Sequence, residues 1–354
     1  MTAFWTEADF DDHELVHFVH EPALGLTAII ALHSTHLGPG AGGTRFWHYA
    51  DPADAMKDAL RLSRGMSYKN AMAGLPMGGG KGVILAGPER AKSPAMLAAY
   101  GKAIDQLGGR YVTAEDVGMS EADMLEIWEE TDHVSGLPVA EGLAGGDPGP
   151  FTAYGIYLGI KAAVAYRLGK NGVAGVHVAL QGAGSVGSGV ARLLAKDGAK
   201  LTVADIFPEK AQALAAEIGA TVVAAEAIMS MPCDVFSPNA LGAILDETTI
   251  PELDCAIVAG GANNQLARHG HGRLLAERGT LYAPDYVINA GGIIDVSLEY
   301  LGRRAGKPNS AEDVNRRIEQ IPGRLRSIWE EAEAKRRPAN EIADRMAQKL
   351  IGRA

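Results

Sequence analysis

Residues 14–20 carry Leu15, Val16, Phe18 and Val19 among Glu14, His17 and His20, a strand-like pattern. A turn signal at 21–25, Glu-Pro-Ala-Leu-Gly, separates it from a second apolar run at 26–32, so the pair reads as a hairpin. From 52 to 67 the apolar positions Ala55, Ala59, Leu62 and Met66 fall at helical spacing. Residues 83–85 predict a short strand, 94–108 a helix, and 110–113 a strand that ends at charged residues.

The stretch 142–150, Gly-Leu-Ala-Gly-Gly-Asp-Pro-Gly-Pro, reads as a domain junction, because few of its backbone groups fit regular structure. A long helix is expected over 152–168. Beyond it the pattern becomes strand, turn, helix, strand, with strands at 176–180, 200–204, 221–223, 235–236, 255–259 and 280–282. Strands alternating with helical segments predict a parallel, doubly wound sheet. The tail from 311 to 351 is charged and helical, with breaks at Pro322 and Pro338. Its three- and four-residue charge spacing is that of a solvated helix face.

Composition narrows the function classes. The chain has 354 residues, 47% hydrophobic and 21% charged, as a folded globular protein of two domains has. Its 33 basic and 43 acidic residues give a net charge of −10, which argues against nucleic-acid or anionic-membrane partners. Two cysteines, Cys233 and Cys255, are too few for a disulfide framework or a Cys-rich zinc site. No apolar run approaches the roughly 20 residues that span a bilayer. The start, Met1 to Glu7, shows neither a basic nor an apolar leader region, so a cytoplasmic protein without a secretory signal is expected. Glycine accounts for 44 residues, and the clusters at 38–43, 74–87, 142–149 and 182–189 suggest tight turns or close approach of backbone to a ligand.

The segment Gly182-Ala183-Gly184-Ser185-Val186-Gly187 follows an apolar strand and opens a helix over 186–196, and a second strand ends at Asp205, 18 residues beyond Gly187. Gly182 suits a tight turn, Gly184 lets a pyrophosphate approach the backbone, and Gly187 allows close helix–strand packing. The helix N-terminus offers unpaired N–H groups to phosphates. Asp205 can accept from both ribose hydroxyls and would repel a 2′-phosphate, which favours NAD over NADP.

Reactive groups gather in three segments of the first domain: 38–45, 67–82 and 113–118. The Lys81 segment is not a phosphate loop of the GxxxxGK[ST] type, since Leu75 and Gly82 stand where a glycine and a hydroxyl belong. Glycines flank Lys81 instead, giving small molecules access to its amine. A lysine that is desolvated or crowded by a second cation such as Lys69 can act as a base near neutrality; a plain turn lysine is the blander alternative. His13 and His17 match the HExxH zinc pattern. On a strand, however, they would stand about 13 Å apart, too far to share one ion. His269 and His271 read as a solvated glycine loop, and Glu115 as facing away from Asp116.

The segments LGPGAGGTR (37–45), MSYKNAMAGLPMGGGKGVI (66–84), GRYVTAEDVG (109–118), GAGSVG (182–187), AGGANNQL (259–266) and APDYVINAGG (283–292) occur together in this order. In them the chain resembles the glutamate/leucine/phenylalanine/valine dehydrogenase family, the leucine and valine branch most closely. The resemblance runs from about residue 12 to the C-terminus.

The resemblance implies an α/β fold of two domains separated by a cleft. A mixed-sheet catalytic and oligomerisation domain would cover 1–145 and be completed by helices at 326–354, and a Rossmann NAD-binding domain would cover 146–325. It also implies roles. Lys69 would bind the substrate α-carboxylate, helped by the backbone at Gly42 and Gly43. Lys81 would activate the water that attacks an imine, and Asp116 would carry protons to and from the nitrogen. Asn264 and Asn263 would lie near the amino group or the nicotinamide, with the choice between them open. Thr152 and Asn289 would belong to the cofactor site.

Ala41, Ala114, Ile293 and Val296 would line an apolar side-chain pocket, with Ala41 where the glutamate branch has a lysine and the leucine branch a leucine. The expected activity is reversible oxidative deamination of an apolar L-amino acid such as leucine, valine or isoleucine, with phenylalanine left open, to the 2-oxo acid and ammonia by a homo-oligomer. A different amine substrate, or an NAD-binding regulator without catalysis, is the alternative. A regulator, however, needs none of Lys69, Lys81 and Asp116.

Overall fold

The structure, a computed structural model, describes residues 4–353; Met1, Thr2 and Ala3 of the stretch read for a leader, and Ala354, lie outside the described residues. The chain divides into two compact units, Met1–Asp147 with Ile293–Asp313 and Ala347–Ala354, and Pro148–Gly292 with Val314–Met346.

In the first unit, β1 (Leu15–Glu21) and β2 (Leu26–Ser34) form the antiparallel hairpin, turned by Pro22–Leu24 and a left-handed Gly25. Next come β3 (Gly40–Ala41), β4 (Thr44–Trp47), α1 (Pro52–Met72), β5 (Gly78–Leu85), α2 (Pro94–Asp105), β6 (Tyr111–Val112) and α3 (Glu121–Trp128). The sheet is mixed: its order is β1-β2-β5-β3-β6 with β4 also on β5, antiparallel as far as β5 and parallel beyond it. Strand alternation sorts its two faces. On one, Ile29, Ala31 and Val83 pack on the small Ala55 and Ala59 of α1. On the other, Ile30, Leu32, Phe46 and Ile84 meet Leu97, Tyr100 and Ile104 of α2 and Ile127 of α3.

β5 is longer than the strand expected over 83–85, and it begins at Gly78. Its glycines serve close packing within a sheet. A side chain at Gly79 would strike Ser63 and Ser67 of α1, and one at Gly82 would strike Thr44 and Tyr100. Lys81 therefore projects from a central strand rather than from a turn.

The second unit follows with α4 (Gly149–Leu168), β7 (His177–Gln181), α5 (Ser185–Lys196), β8 (Lys200–Ala204), α6 (Pro208–Ile218), β9 (Thr221–Val222), β10 (Cys233–Pro238), β11 (Cys255–Val258), α7 (His271–Glu277), β12 (Leu281–Tyr282) and α8 (Asp285–Ile288). Its sheet, ordered β12-β11-β10-β7-β8-β9, is parallel throughout. Counted from β7 as strand 1, the order is 3-2-1-4-5-6, that of the dinucleotide-binding fold, with the switch point between β7 and β10. His271 is buried at the start of α7, bonded to the Leu245 carbonyl and paired with Glu247, so the expected solvated loop is corrected there; His269 is exposed beside Asp344.

The C-terminal stretch, α9 (Gly291–Arg304), α10 (Ala311–Ile318), α11 (Ile321–Lys335) and α12 (Ala339–Leu350), divides differently from the expectation that 326–354 complete the first domain. Residues 314–346 belong to the second unit because α4 offers Gly155 and Gly159 as a small-residue face. Ile318, Ile321 and Leu325 press onto it. Residues 293–313 belong to the first unit because α9 grips the segment before the junction. Glu299 accepts from the Gly136 N–H at 3.0 Å, and Asp295 from the Gly145 N–H at 2.8 Å. Trp329 on α11 is buried, and its Nε1 donates to the Tyr282 carbonyl on the edge strand at 2.9 Å. Trp329→Ala is expected to destabilise the second unit by about 3–5 kcal/mol, read as a lowered denaturant midpoint for that unit's transition.

Candidate active site

On β5, Lys81 shares a face with Val83, the face that α1 covers, and it is only 5% exposed. The short β6 leads through Thr113 and Ala114 into a loop that brings the Asp116 carboxylate into direct contact with the Lys81 amine. Oδ1 of Asp116 accepts from the Val117 N–H at 2.6 Å, which turns Oδ2 toward the lysine. Burial pushes the Lys81 amine down to about 7; the positive charges of Arg45 and Lys69 push the same way, and Asp58 opposes them. An amine poised near neutrality in contact with a carboxylate is a proton-transfer pair. Lys69, in the last turn of α1, is half-buried and its field reaches Lys81.

Ala41 and Gly42 pass along β5, and both are buried. The Gly42 N–H is engaged by the Val112 carbonyl at 3.1 Å, so Gly42 contributes close approach rather than a donor. A Cβ on Gly43 would strike the Glu115 carbonyl and crowd the Asp116 side chain. Gly43→Ala is therefore expected to displace Asp116 and, if Asp116 carries protons as the resemblance implies, to lower kcat/KM by roughly 10²-fold, the effect of moving such a group by about 1 Å. The far-UV circular dichroism should stay unchanged; a variant with wild-type kcat/KM would refute the tight fit. Ala114 and Val296 are buried and Ile293 half-buried, and Val296 packs against Gly136. Glu115 is exposed, and the carboxylate that pairs with the lysine is that of Asp116.

In the second unit the turn 182–187 joins β7 to α5. Gly182 has φ +96°, and a Cβ on Gly187 would strike the Gly182 carbonyl. Gly184 caps α5 and has no atom within 4 Å of where its Cβ would be, which leaves open space above the helix N-terminus. Asp205 directly follows β8 and reaches back to the turn, accepting from the Ala183 N–H at 2.7 Å and the Phe207 N–H at 2.9 Å. Ser185 and Val186 form the first turn of α5. Asn289 is buried and donates to the Gly261 carbonyl at 3.1 Å and to Asn263 Oδ1 at 2.8 Å. Its own Oδ1 stays buried without a protein partner, an acceptor free for an amide donor. Asn263 and Asn264 are exposed, Asn264 with φ +52°, and Thr152 Oγ1 donates to the Pro148 carbonyl in the first turn of α4. The open turn, the tethered carboxylate and the orphaned amide oxygen fit a dinucleotide.

Arg45 and Gln265 enter the sequence reading only as parts of motifs, and Asp58 and Asn239 carry no signal there. Gln265 is fully buried and its Nε2 donates to the carbonyls of Gly260 and Ala262. Asn239 Oδ1 accepts from the Gly261 N–H at 2.9 Å. Strand alternation, which puts residue 45 of β4 on the face of Val83, was the available signal for Arg45.

Comparison with known proteins defines the class first: this is an amino acid dehydrogenase with the two-domain α/β fold. Residues 13–133 match the family model described as "Glu/Leu/Phe/Val dehydrogenase, dimerisation domain", and residues 209–354 match "Glutamate/Leucine/Phenylalanine/Valine dehydrogenase". The chain belongs to the glutamate/leucine/phenylalanine/valine dehydrogenase family. It is 46% identical over 340 residues to the leucine dehydrogenase of Geobacillus stearothermophilus, across 96% of this chain and 91% of that protein. It is 40% identical over 347 residues to the phenylalanine dehydrogenase of Bacillus thermotolerans, across 96% and 88%. The crystal structure of L-tryptophan dehydrogenase from Nostoc punctiforme superposes with a TM-score of 0.84 at 42% identity, covering 96% of each chain.

Proposed function

We propose that this chain catalyses the reversible, NAD-dependent oxidative deamination of an apolar L-amino acid to its 2-oxo acid and ammonia. The observation that carries this reading is the buried Lys81 amine, brought to about 7 and touching Asp116. Lys69 holds the α-carboxylate as a point charge. When bound, the nicotinamide ring supplies the acceptor for the Cα hydride. Asp116 takes a proton from the substrate ammonium before the hydride leaves; Lys81 then takes a proton from the water that adds to the resulting imine carbon, and Asp116 returns its proton to the departing nitrogen. The carbinolamine collapses to 2-oxo acid and ammonia.

Leucine or a similar aliphatic amino acid is the preferred substrate. The buried Ala41, Ala114 and Val296, with Ile293, offer a side-chain carboxylate no partner, and burying an unpaired charge costs several kcal/mol. The aromatic alternative draws support from the phenylalanine and tryptophan dehydrogenase relatives and from the small Ala41. NAD is favoured over NADP because Asp205 puts a carboxylate beside the turn. The match to a dimerisation domain supports a homo-oligomer, dimer or larger. Among the described residues no helix is long and apolar enough to cross a membrane, in keeping with a cytoplasmic enzyme.

The test is reduced-cofactor formation at alkaline pH across a panel of aliphatic, aromatic and acidic L-amino acids, with NAD and NADP in parallel. Turnover of aliphatic amino acids with NAD is the expected result. A preference for glutamate or for NADP would overturn the corresponding assignment.

A further inference from the structure

The Lys81–Asp116 pair has a third neighbour that the reaction scheme leaves idle. Arg45 lies on β4, beside β5, with Nη2 3.9 Å from Asp116 Oδ2, the oxygen that also meets the Lys81 amine. Its Nη1 donates to Asp58 Oδ2 on α1 at 2.7 Å. Asp58 is itself held by the Tyr49 hydroxyl at 2.9 Å on the same oxygen and by Arg61 at 3.0 Å on the other. One guanidinium thus stands between two carboxylates, bonded to the one that three donors fix and short of bonding distance to the one that meets the lysine. Arg45 Nε is buried without a partner, so the side chain is not arranged to satisfy its own donors. A residue serving only to tie β4 to α1 would gain nothing from facing Asp116 with an unpaired nitrogen beside it.

We propose that Arg45 is a positioning residue for the reaction, anchored by Asp58 so that its charge faces Asp116 and Lys81 without bonding either. This inference rests on the reading of Lys81 as the base. The charged and titratable groups around that amine are Asp116 from the loop after β6, Arg45 from β4, and Asp58 and Lys69 from α1, with Tyr49 and Arg61 acting through Asp58.

Arg45 and Asp58 act on Lys81 with opposite sign. Arg45 disfavours the ammonium and Asp58 favours it. If Arg45 were pulled onto Asp116, it would take the oxygen the lysine uses; Asp58 prevents this.

The experiment is the pH dependence of kcat/KM for amino acid oxidation in Arg45→Met, Arg45→Lys and Asp58→Asn. Removing the positive charge in Arg45→Met moves the acid limb to higher pH by about one unit, the scale of a single neighbouring charge. Arg45→Lys, which keeps the charge, leaves the limb nearer its wild-type position than Arg45→Met does. Asp58→Asn moves the limb to lower pH. Displacements of opposite sign in the Met and Asn variants support the proposal. Unmoved limbs, or limbs that move together, overturn it, because a merely structural pair lowers rate or stability without that split. If Arg45→Met fails to fold, the Asp58→Asn limb decides alone: a shift to lower pH supports the proposal, and none or a rise overturns it. Lys81→Ala, measured alongside, separates the two readings. Surviving turnover there removes Lys81 as the base, whereas an inactive Lys81→Ala with unmoved limbs removes only the role of Arg45.

Discussion

Replacing Lys81 with alanine is expected to lower kcat for amino acid oxidation by about 10²–10⁴-fold, the range that one general base supplies, while dinucleotide affinity stays unchanged. The separation follows from where the groups lie. Lys81 projects from β5 of the first unit, whereas the phosphate turn and Asp205 belong to the second unit. The alanine leaves Asp116 without its amine partner, so proton transfer fails at both ends. For the same reason Asp116→Asn should cost a similar factor, and the double variant should be little worse than either single one, as happens when residues act as a unit. Steady-state rates with leucine and a cofactor titration by fluorescence quenching read the two quantities. Substantial turnover by Lys81→Ala would remove it from the mechanism, and a parallel loss of cofactor affinity would mean that the substitution disturbs the fold.

The wild-type pH profile carries the second large effect. A lysine base works only without its proton, and burial together with Arg45 and Lys69 brings the amine from 10.5 to about 7. Thus kcat/KM should be level above about pH 7 on this group's account. Below that it should fall tenfold per unit, to about a hundredth of the plateau at pH 5. An unperturbed lysine would place the same limb more than three units higher. The sign for folding follows by linkage. Between 7 and 10.5 the unfolded chain holds a proton here that the folded chain releases, so this group makes folding more favourable as pH rises through that window. Initial rates from pH 5 to 10, with denaturation midpoints at both ends, test the two statements. A flat acid side, or a limb near 10.5, would contradict the buried-base reading.

What could be read from the chain depended on how local the cause was. The turn 182–187 was legible because each of its glycines answers to a constraint within a few residues, and Asp205 follows at a fixed distance. The hairpin β1–β2 was legible from its pattern and its Pro-Gly turn. β5 was not. A run of glycines reads as a turn, and what makes 78–82 a strand is the pressure of Ser67, Thr44 and Tyr100 from elsewhere in the chain. The partition of the tail was hidden for a similar reason. An amphipathic helix shows that it has an apolar face but not which surface will receive it, and Gly155 and Gly159 of α4 decide that. In the site, Lys81, Asp116 and Lys69 stood out as reactive types among glycines. The link from Arg45 to Asp58 joins a strand to a helix and has no signature in either.

The crowding around β5 also bears on how the enzyme can be re-engineered. Four of the five residues from 78 to 82 are glycine, and Gly78, Gly79, Gly80 and Gly82 are all enclosed by neighbouring atoms. Randomised libraries aimed at 78–82 would return almost nothing but misfolded or inert clones, since that stretch holds no side-chain volume to trade apart from Lys81. On the substrate reading proposed above, attempts to retarget the catalyst toward smaller or polar amino acids belong at Ala41 and Ala114 first, where a larger residue would narrow the wall while this backbone stays as it is.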